Sequence, residues 1–172
     1  MKLHTLQFKQ MTKEAVKTTA SFYSGNSTMD SFLRENAYYY HITREASTTL
    51  VYYDDQLIAY YTLTRNLFDG VIDNLAKQEH LWALDLSRLA VVVDFQNKGV
   101  GSFIIKHIID LAQRINDRFI TTDALFEKWE WYHHFGFDYL VESDINPITT
   151  KGLVYMLLDL YDPNVLEDYF DE

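Results

Sequence analysis

The clearest hydrophobic pattern in the chain lies within residues 82–115 and predicts a buried strand followed by an amphipathic helix. Residues 89–93 read Leu-Ala-Val-Val-Val, and a short apolar run rich in β-branched side chains is typical of a strand buried on both faces. Beyond residue 101, apolar residues recur at helical spacing while charged residues fall mostly on the other face. A short polar segment with two glycines separates the two elements.

Patterns on either side of this segment predict the remaining elements. The acidic turn 54–56 joins two strands in a hairpin, and Ser27 or Thr28 is the predicted cap of the second helix. The order β-α-α-β-β-β-α-β-α-β-β indicates an α/β (α+β mixed) fold, in which helices cover both faces of a mixed, mostly antiparallel sheet. Strands are predicted at 3–8, 47–53, 57–63, 82–93, 119–124, 137–141 and 153–160, and helices at about 12–23, 28–41, 102–115 and 126–135.

Two expectations concern how the first half of the chain contributes to the core and to a site. Residues 65–77 are predicted to form a long connection, and long loops often line binding sites. The second helix is expected to turn one face inward, formed by Met29, Phe32, Leu33, Asn36, Ala37 and Tyr40.

Composition narrows the class of protein. The 172 residues suit one domain, residues 1–172, and a content of 48% apolar and 16% aromatic residues excludes a disordered chain. The absence of cysteine excludes disulfides, cysteine nucleophiles and thiolate metal sites, and it fits a cytoplasmic protein. The sequence has neither a signal-peptide pattern nor an apolar run of about 18 residues, so no membrane association is expected.

The net charge of −10 is spread unevenly along the chain. Residues 159–172, which include an acidic tail from about 161, carry six acidic residues and no lysine or arginine. Without them, 15 basic residues still face 19 acidic ones. Because tight binding to a polyanion needs several cations near its phosphates, this balance argues against a nucleic-acid partner.

The glycine segment supports two interpretations. The first turn of a helix has amide groups without intrahelical partners, so a loop of small residues before a helix can bind phosphate. Gly99 and Gly101 would then be needed because they lack a Cβ. Alternatively, the glycines serve only a tight strand-to-helix turn. The segment contains no Gly-Lys-Ser/Thr and no Gly-x-Gly-x-x-Gly, which excludes a Walker loop and a dinucleotide turn.

Two motifs resemble those of the GNAT N-acetyltransferases. Gln-x-x-Gly-x-Gly at residues 96–101, between strand and helix, is similar to the family's acetyl-CoA signature. Trp-Tyr-His-His-Phe-Gly-Phe at residues 131–137 resembles its aromatic-Tyr-x-x-x-Gly-Phe segment and follows after one further strand. The resemblance covers roughly residues 45–160, most firmly 84–140. It implies a single GNAT-like domain that moves an acetyl group from acetyl-CoA to a primary amine by direct attack in a ternary complex.

The resemblance also implies which residues bind the cofactor. The pantetheine arm would pair with the backbone of Leu89, Ala90 and Val91. The pyrophosphate would lie on backbone amides of the loop and of the helix start, so bulk at either glycine should matter more than changes at Asn97 or Val100. The Lys98 side chain would either contact phosphate or stay exposed without a role. The cofactor-binding residues that the resemblance implies for the loop and helix start are Gln96, Asn97, Lys98, Gly99, Val100, Gly101 and Ser102.

Acetyl transfer requires a proton to leave the amine and another to reach the departing thiolate. Tyr132 matches the family position that commonly protonates the thiolate, although it could instead be a packed core tyrosine. Asp85 is the candidate base, directly or through a water; it could equally cap the strand or pair with Arg88, and some family members rely on solvent. His133 and His134 are adjacent and do not face one another, so no metal site is expected.

The acceptor is the open question. Segments 22–26, 29–37, 49–52, 59–63 and 87–91 resemble the GNAT toxins of toxin–antitoxin pairs, which acetylate aminoacyl-tRNA and are neutralised by a DNA-binding antitoxin. The acidic balance departs from that branch, so an amine of a small molecule or protein is the preferred acceptor. The alternatives are a tRNA-acetylating toxin, with tRNA and an antitoxin as partners, and a non-catalytic acetyl-CoA-binding module. A homodimer is a further expectation.

Overall fold

The protein is described by a computed structural model that covers residues 2–69, 80–162 and 164. The chain divides into two compact units. The first unit consists of Met1–Asn66 and Asp85–Ile108, and the second of Leu67–Leu84 and Ile109–Glu172. The prediction that residues 1–172 form one domain stays a prediction.

The predicted mixed α/β fold is confirmed. Within the residues that the structure describes, seven strands form one mixed sheet in the order β1-β2-β3-β4-β5-β7-β6, and four α-helices accompany it. The strands are β1 Gln7–Gln10, β2 Ser47–Tyr53, β3 Gln56–Asp69, β4 His80–Val91, β5 Phe119–Leu125, β6 Asp138–Tyr139 and β7 Leu153–Asp159. The helices are α1 Ser27–Ser31, α2 Ala37–Ile42, α3 Val100–Arg114 and α4 Trp129–His133.

The hairpin of β2 and β3 follows the prediction closely. The two strands pair antiparallel, with Leu50 opposite Tyr60 and both side chains fully buried. Asp54 and Asp55 have φ values of 48° and 60°, the left-handed conformation that tight two-residue hairpin turns require. The acidic turn is therefore set by backbone geometry, because aspartate tolerates this conformation better than most residues.

Several predicted boundaries in the first half were wrong. Residues Leu3–Thr5 form a 3₁₀ turn, so the first strand begins only at Gln7. The predicted helix at 12–23 is a 3₁₀ helix over Ala15–Ser21. The predicted connection 65–77 is strand up to Asp69, because β3 continues through it, and the rest of that prediction lies outside the described residues.

The second predicted helix is interrupted, and two further predictions in this segment were wrong. A π-helical turn, Phe32–Asn36, separates α1 from α2, and the Ala37 N–H bonds back to the Phe32 carbonyl. The extra residue in this turn shifts the helical periodicity. Asn36, predicted to face inward, is consequently exposed. The cap is Asn26 rather than Ser27 or Thr28, because its side-chain oxygen accepts hydrogen bonds from the amides of Thr28 and Met29.

Each unit contains a cluster of buried apolar side chains. In the first unit, buried side chains of the helical segment pack on those of β2, β3 and β4: Met11, Phe22, Phe32, Leu33, Ala37, Leu50, Tyr52, Tyr60 and Ala90. In the second unit, Phe68, Ala83 and Phe119 form a cluster against which Leu81, Tyr155 and Leu157 pack. The segment Phe137–Val141 forms only a two-residue strand, shorter than predicted. None of the helices in the described ranges has the length and apolar content that a membrane span requires.

Candidate functional site

The predicted strand, loop and helix around the glycines are present. Strand β4 ends at Val91, a 3₁₀ turn covers Val93–Phe95, and α3 begins at Val100. Asn97 and Gly99 have φ values of 58° and 82°, so the chain reverses through two left-handed residues. Gly101 lies inside α3 without a positive φ. What distinguishes Gly101 is therefore its missing side chain rather than an unusual backbone conformation.

The start of α3 leaves backbone amides available for an anion. The first intrahelical hydrogen bond joins the Phe103 N–H to the Gly99 carbonyl at 3.0 Å. The amides of residues 100–102 consequently have no intrahelical partner. Residues 96–99 are exposed, and the Lys98 ammonium lies 5.6 Å from the centre of the Phe95 ring. The loop thus offers amides, exposure and one nearby cation, which is the combination a phosphate group needs.

The side chain of Gln96 holds the loop rather than facing away from the protein. Its amide nitrogen donates to the Ser24 carbonyl at 2.8 Å and to the Val91 carbonyl at 2.9 Å. Its backbone N–H donates to the Val93 carbonyl at 3.1 Å. Both donor groups of Gln96 are therefore engaged within the first unit. The glutamine fixes the shape of the loop, and the free amides follow it in the chain.

A buried carboxylate, that of Asp30, holds Ser24, the residue whose carbonyl accepts the Gln96 side chain. Asp30 is 2% exposed, and one of its oxygens accepts hydrogen bonds from the Ser24 amide at 3.0 Å and the Ser24 hydroxyl at 2.7 Å. The Val93 amide donates to the Tyr23 carbonyl at 3.1 Å. Asp30 lies in the first turn of α1, and the sequence analysis did not predict this role. Its position six residues after a serine gave no separate signal.

The predicted pantetheine segment is an ordinary part of β4. Ala90 is buried in the core of the first unit, while Leu89 and Val91 are half-buried. The Val91 carbonyl accepts the Gln96 side chain, and the next amide, that of Val92, donates to the Ile58 carbonyl at 2.8 Å. The backbone near the end of β4 is therefore already paired in these two places.

Asp85 forms hydrogen bonds with two hydroxyl side chains of the first unit, those of Thr64 and Ser87. One of its oxygens accepts hydrogen bonds from the Ser87 hydroxyl at 2.8 Å and the Thr64 hydroxyl at 3.1 Å, and the two hydroxyls lie 2.8 Å apart. Asp85 is only 7% exposed. The suggested pairing with Arg88 is not formed: the Arg88 guanidinium lies 3.7 Å from the centre of the Phe32 ring. Asp85 is thus oriented by the hydroxyl groups of Thr64 and Ser87 rather than by Arg88.

Tyr132 lies in the second unit and is held by aromatic side chains. Its ring centre is 4.8 Å from that of Trp131 and 5.6 Å from that of Phe137, both in edge-on arrangements. Burial raises the pKa of the Tyr132 hydroxyl to about 12, and a hydrogen bond with the Thr122 side chain partly opposes this shift. The hydroxyl therefore keeps its proton throughout the neutral pH range and can donate it.

The adjacent histidines have local structural contacts. The His133 ring nitrogen lies 2.9 Å from the Phe137 carbonyl, and His134 contacts the carbonyl of Glu130. In the ranges that the structure describes, no group of three or more His, Asp or Glu side chains could hold a metal ion. Asp85 and the loop belong to the first unit, whereas Tyr132 belongs to the second.

Comparison with known proteins identifies the relatives of this fold. The sequence profile of the acetyltransferase (GNAT) family matches residues 13–137, and comparison with curated proteins gave no match. Among solved structures, a tyrosine-to-phenylalanine variant of KacT is 20% identical with a TM-score of 0.73, covering 95% of this chain and 98% of that chain.

Two structures of AtaT are also similar. A tyrosine-to-phenylalanine variant of this toxin, bound to acetyl-CoA and to the C-terminus of the antitoxin AtaR, is 19% identical with a TM-score of 0.70, covering 97% of this chain and 99% of that chain. AtaT complexed with acetyl-methionyl-tRNAfMet is 18% identical with a TM-score of 0.69, covering 96% and 99%. At such identities the likeness shows a shared fold.

Proposed function

Because the chain belongs to the acetyltransferase (GNAT) family, we propose that it transfers the acetyl group of acetyl-CoA to a primary amine by direct attack in a ternary complex. The match over residues 13–137 carries this proposal, since it spans most of the chain and includes both motifs. Family membership makes the protein an acetyl-CoA-dependent N-acetyltransferase. The identity of the amine and the roles of individual residues are the proposed parts.

The start of α3 suits the pyrophosphate of acetyl-CoA. The amides of residues 100–102 have no intrahelical partner, and at Gly101 no side chain stands in front of them. Their partial positive charge at a helix start favours a diphosphate. Lys98 adds a cation beside the loop, and the Gln96 side chain keeps the loop in this shape. The pantetheine arm would pair with the backbone of Leu89, Ala90 and Val91. The remaining proposed cofactor-binding residues are Asn97, Gly99 and Ser102.

Two side chains are proposed to move the protons. Asp85 takes a proton from the ammonium form of the acceptor, directly or through a water, and the free amine then attacks the thioester carbonyl. The nitrogen, which is positively charged after the attack, gives one more proton to water, and a proton from water later restores the Tyr132 hydroxyl. When the tetrahedral intermediate collapses, the carbon–sulfur bond breaks and the thiolate leaves. Tyr132 donates its proton to that thiolate, and its raised pKa keeps the proton in place until then. Thr64 and Ser87 orient the Asp85 carboxylate.

For the acceptor we favour the amino group of an aminoacyl-tRNA. AtaT, in a structure with a similar fold over almost the whole length of both chains, holds acetyl-methionyl-tRNAfMet. The negative charge that argued against such a substrate lies mainly in the second unit, whereas the first unit has ten basic and eight acidic residues. With this acceptor the protein would be a toxin, and an antitoxin would be its partner, as AtaR is for AtaT.

The second candidate acceptor is an amine of a small molecule or protein, as the sequence alone favoured. The observation in its support is the net charge of −10, which lowers non-specific attraction to any RNA. The two candidates separate directly in an assay with radiolabelled acetyl-CoA, offering bulk aminoacyl-tRNA in one reaction and free amines or peptides in another. Label that stays with RNA and is released by mild alkali, which cleaves the aminoacyl ester, identifies the first acceptor.

The cofactor site is tested by calorimetry of acetyl-CoA binding. The substitution Gly101→Glu places a negative side chain at the start of α3 and should abolish binding, whereas Gln113→Glu adds the same charge at an exposed position of the same helix and should leave binding intact. Equal binding by both variants would show that the pyrophosphate does not lie there. Tyr132→Phe should bind normally but transfer poorly; normal transfer would remove Tyr132 from the mechanism, and a wild type without any transfer would leave only a binding module.

A further inference from the structure

A pocket in the first unit lies beside the polar face of the helical segment and has no assigned role. Its volume is about 420 Å³. Its lining contains one cation, three hydroxyl side chains, one side-chain amide and one aromatic ring, and no acidic residue: Ser27, Thr28, Ser31, Phe32, Asn36 and Arg88. A pocket with this lining is positively charged and rich in hydrogen-bond donors.

Arg88 is the central group of this pocket. Its guanidinium lies 3.7 Å from the centre of the Phe32 ring, so one face is occupied by a cation–π contact. Phe32 is itself buried, and Arg88 is half-buried, which fixes the plane of the guanidinium. Among the residues for which the structure gives positions, none forms a hydrogen bond or ion pair with this side chain. The five N–H donors at its edges are therefore available to a ligand.

The other polar groups of the pocket are similarly uncommitted. Within the described part of the chain, the side chains of Ser27, Thr28, Ser31 and Asn36 form no hydrogen bonds. The nearby buried carboxylate, Asp30, is engaged by the amide and hydroxyl of Ser24. Polar groups that have no partner in the protein are satisfied by water or by a ligand.

The local backbone explains why these groups meet. The π-helical turn Phe32–Asn36 places one additional residue between α1 and α2. This turn brings Asn36 to the surface, although the helical pattern would bury it, while Phe32 stays in the core. Phe32 can thus support Arg88 from below while Ser31 and Asn36 line the same opening. Single π-helical turns within helices frequently occur at functional positions.

We propose that the Arg88 pocket binds an oxyanion of the acceptor substrate, a phosphate or a carboxylate, and thereby determines which amines are acetylated. A guanidinium with a fixed plane and free edges matches the two oxygens of such a group, and the surrounding hydroxyls donate further hydrogen bonds. An aminoacyl-tRNA would supply a backbone phosphate and an amino acid its carboxylate. That the bound oxyanion belongs to the acceptor rests on the proposed function. That the pocket binds an oxyanion does not.

The site is tested first without any enzymatic assay. Inorganic phosphate and, separately, acetate are titrated into uniformly ¹⁵N-labelled full-length protein, and the arginine Nε–H signals are followed by NMR. The signal assigned to Arg88 by its loss in Arg88→Lys should shift on saturation, while that of the exposed Arg44 should not. A preference for phosphate indicates a nucleic-acid or phosphorylated acceptor, and a preference for acetate indicates a carboxylate. No shift of the Arg88 signal with either anion overturns the proposal.

The second arm separates binding of the acceptor from binding of the cofactor. Arg88→Met removes the guanidinium but keeps an apolar side chain against Phe32. Arg88→Lys keeps the positive charge but lacks the paired N–H donors of the guanidinium. The KM for the acceptor should rise roughly 10- to 100-fold in Arg88→Met and less in Arg88→Lys, with the KM for acetyl-CoA unchanged. Arg44→Met is the matched control and should behave as wild type.

An unchanged acceptor KM in a folded Arg88→Met protein overturns the proposal, as does a rise in the KM for acetyl-CoA alone. Failure of the proposed function is a different result. In that case the wild type transfers no acetyl group to any amine, although Arg88 still responds to phosphate or acetate in the NMR titration.

Discussion

The two units of the chain differ most in their charge. The first unit, which carries the glycine loop, Asp85 and the Arg88 pocket, has ten basic and eight acidic residues. The second unit, which carries Tyr132, has five basic and seventeen acidic residues. The net charge of −10 thus combines +2 in the first unit with −12 in the second, and it is a poor guide to the ligands of the first unit. A polyanionic acceptor is compatible with the first unit.

The units also hold their candidate groups by different means. In the first unit, hydrogen bonds between polar groups fix Gln96, Asp30 and Asp85. In the second unit, aromatic packing encloses Tyr132, and a single hydrogen bond with Thr122 accompanies it. Polar networks are lost when one partner is removed, whereas a packed ring tolerates the loss of its hydroxyl. Substitutions in the two units should therefore differ in whether they affect the fold or only the chemistry.

The largest effect is expected from Tyr132→Phe. Loss of the proposed proton donor should lower kcat about 10²- to 10⁴-fold, while the packing with Trp131 and Phe137 keeps the fold intact. Steady-state kinetics measure kcat, and calorimetry with acetyl-CoA shows whether the variant still binds the cofactor. Tyr139→Phe, in the same unit, is the control and should retain full activity. A Tyr132→Phe enzyme with normal kcat would leave the first unit as the only source of catalytic groups.

Asp85→Asn should have the next largest effect, a fall in kcat of about 100-fold. Asparagine has the same shape but cannot accept the proton, and the fall should be smaller at high pH, where the acceptor amine is already neutral. The pH dependence of kcat/KM measures this. Ser87→Ala removes one orienting hydrogen bond and should cost less than Asp85→Asn. A pH profile identical to that of the wild type would indicate that solvent is the base.

The buried hydroxyl of Tyr132 makes stability depend on alkaline pH. In the folded protein the pKa of this group is about 12, whereas an unfolded tyrosine ionises near its ordinary value of about 10. Above about pH 10 the unfolded state loses its proton first, so stability falls up to about pH 12, by about 2–3 kcal/mol in total. Urea titrations at several pH values should show a shallower loss in Tyr132→Phe. Equal slopes in both proteins would contradict burial of this hydroxyl.

Gln96→Ala tests the polar network of the first unit. It removes two hydrogen bonds and leaves the Ser24 and Val91 carbonyls without this partner, which should lower the free energy of unfolding by about 1–2 kcal/mol. Affinity for acetyl-CoA should fall as well, because the loop loses its fixed shape. Gln113→Ala on the exposed face of α3 is the matched control. An unchanged affinity would mean that Gly99 and Asn97 alone determine the shape of the loop.

The smallest expected effect concerns the charge difference itself. Replacing the exposed Lys13 and Lys17 by glutamine should raise the KM for an aminoacyl-tRNA about fivefold and reduce its dependence on salt, because fewer counterions are released. The same replacement of Lys128 and Lys151 in the second unit should change the KM less. Equal effects of the two pairs would contradict the assignment of the polyanion to the first unit.

Periodicity predicted those parts of the fold whose structure is local. The hairpin of β2 and β3 and the sequence of β4, loop and α3 agree with the prediction, because alternation, β-branched runs and glycine positions determine them over a few residues. The π-helical turn could not be predicted in this way. One extra residue in a helical turn leaves the types of residue in the segment typical of a helix and changes only which of them face the core. Asn36 was placed in the core for that reason, and the polar pocket it lines was missed.

The contacts that shape the loop were beyond any local pattern. The Gln96 side chain reaches the carbonyl of Ser24, 72 residues earlier in the chain, and no spacing within the signature indicates this. The buried Asp30 carboxylate accepts hydrogen bonds from the amide and hydroxyl of Ser24, and no local pattern predicted this contact. The residues of the candidate site could thus be named from motifs, whereas the hydrogen bonds that hold them depend on segments that meet only in the folded protein.

The bond between Gln96 and Ser24 has a consequence for how the loop comes into being. Because this bond joins residues 72 positions apart, we expect the loop to take its final shape only after the segment around Ser24 has reached the end of β4. If residues 96–101 were grafted after a strand of another protein, the graft would have the sequence of the motif but would not adopt its conformation. We therefore expect that the part of the chain needed to form this loop is larger than the motif and includes the segment around Tyr23 and Ser24.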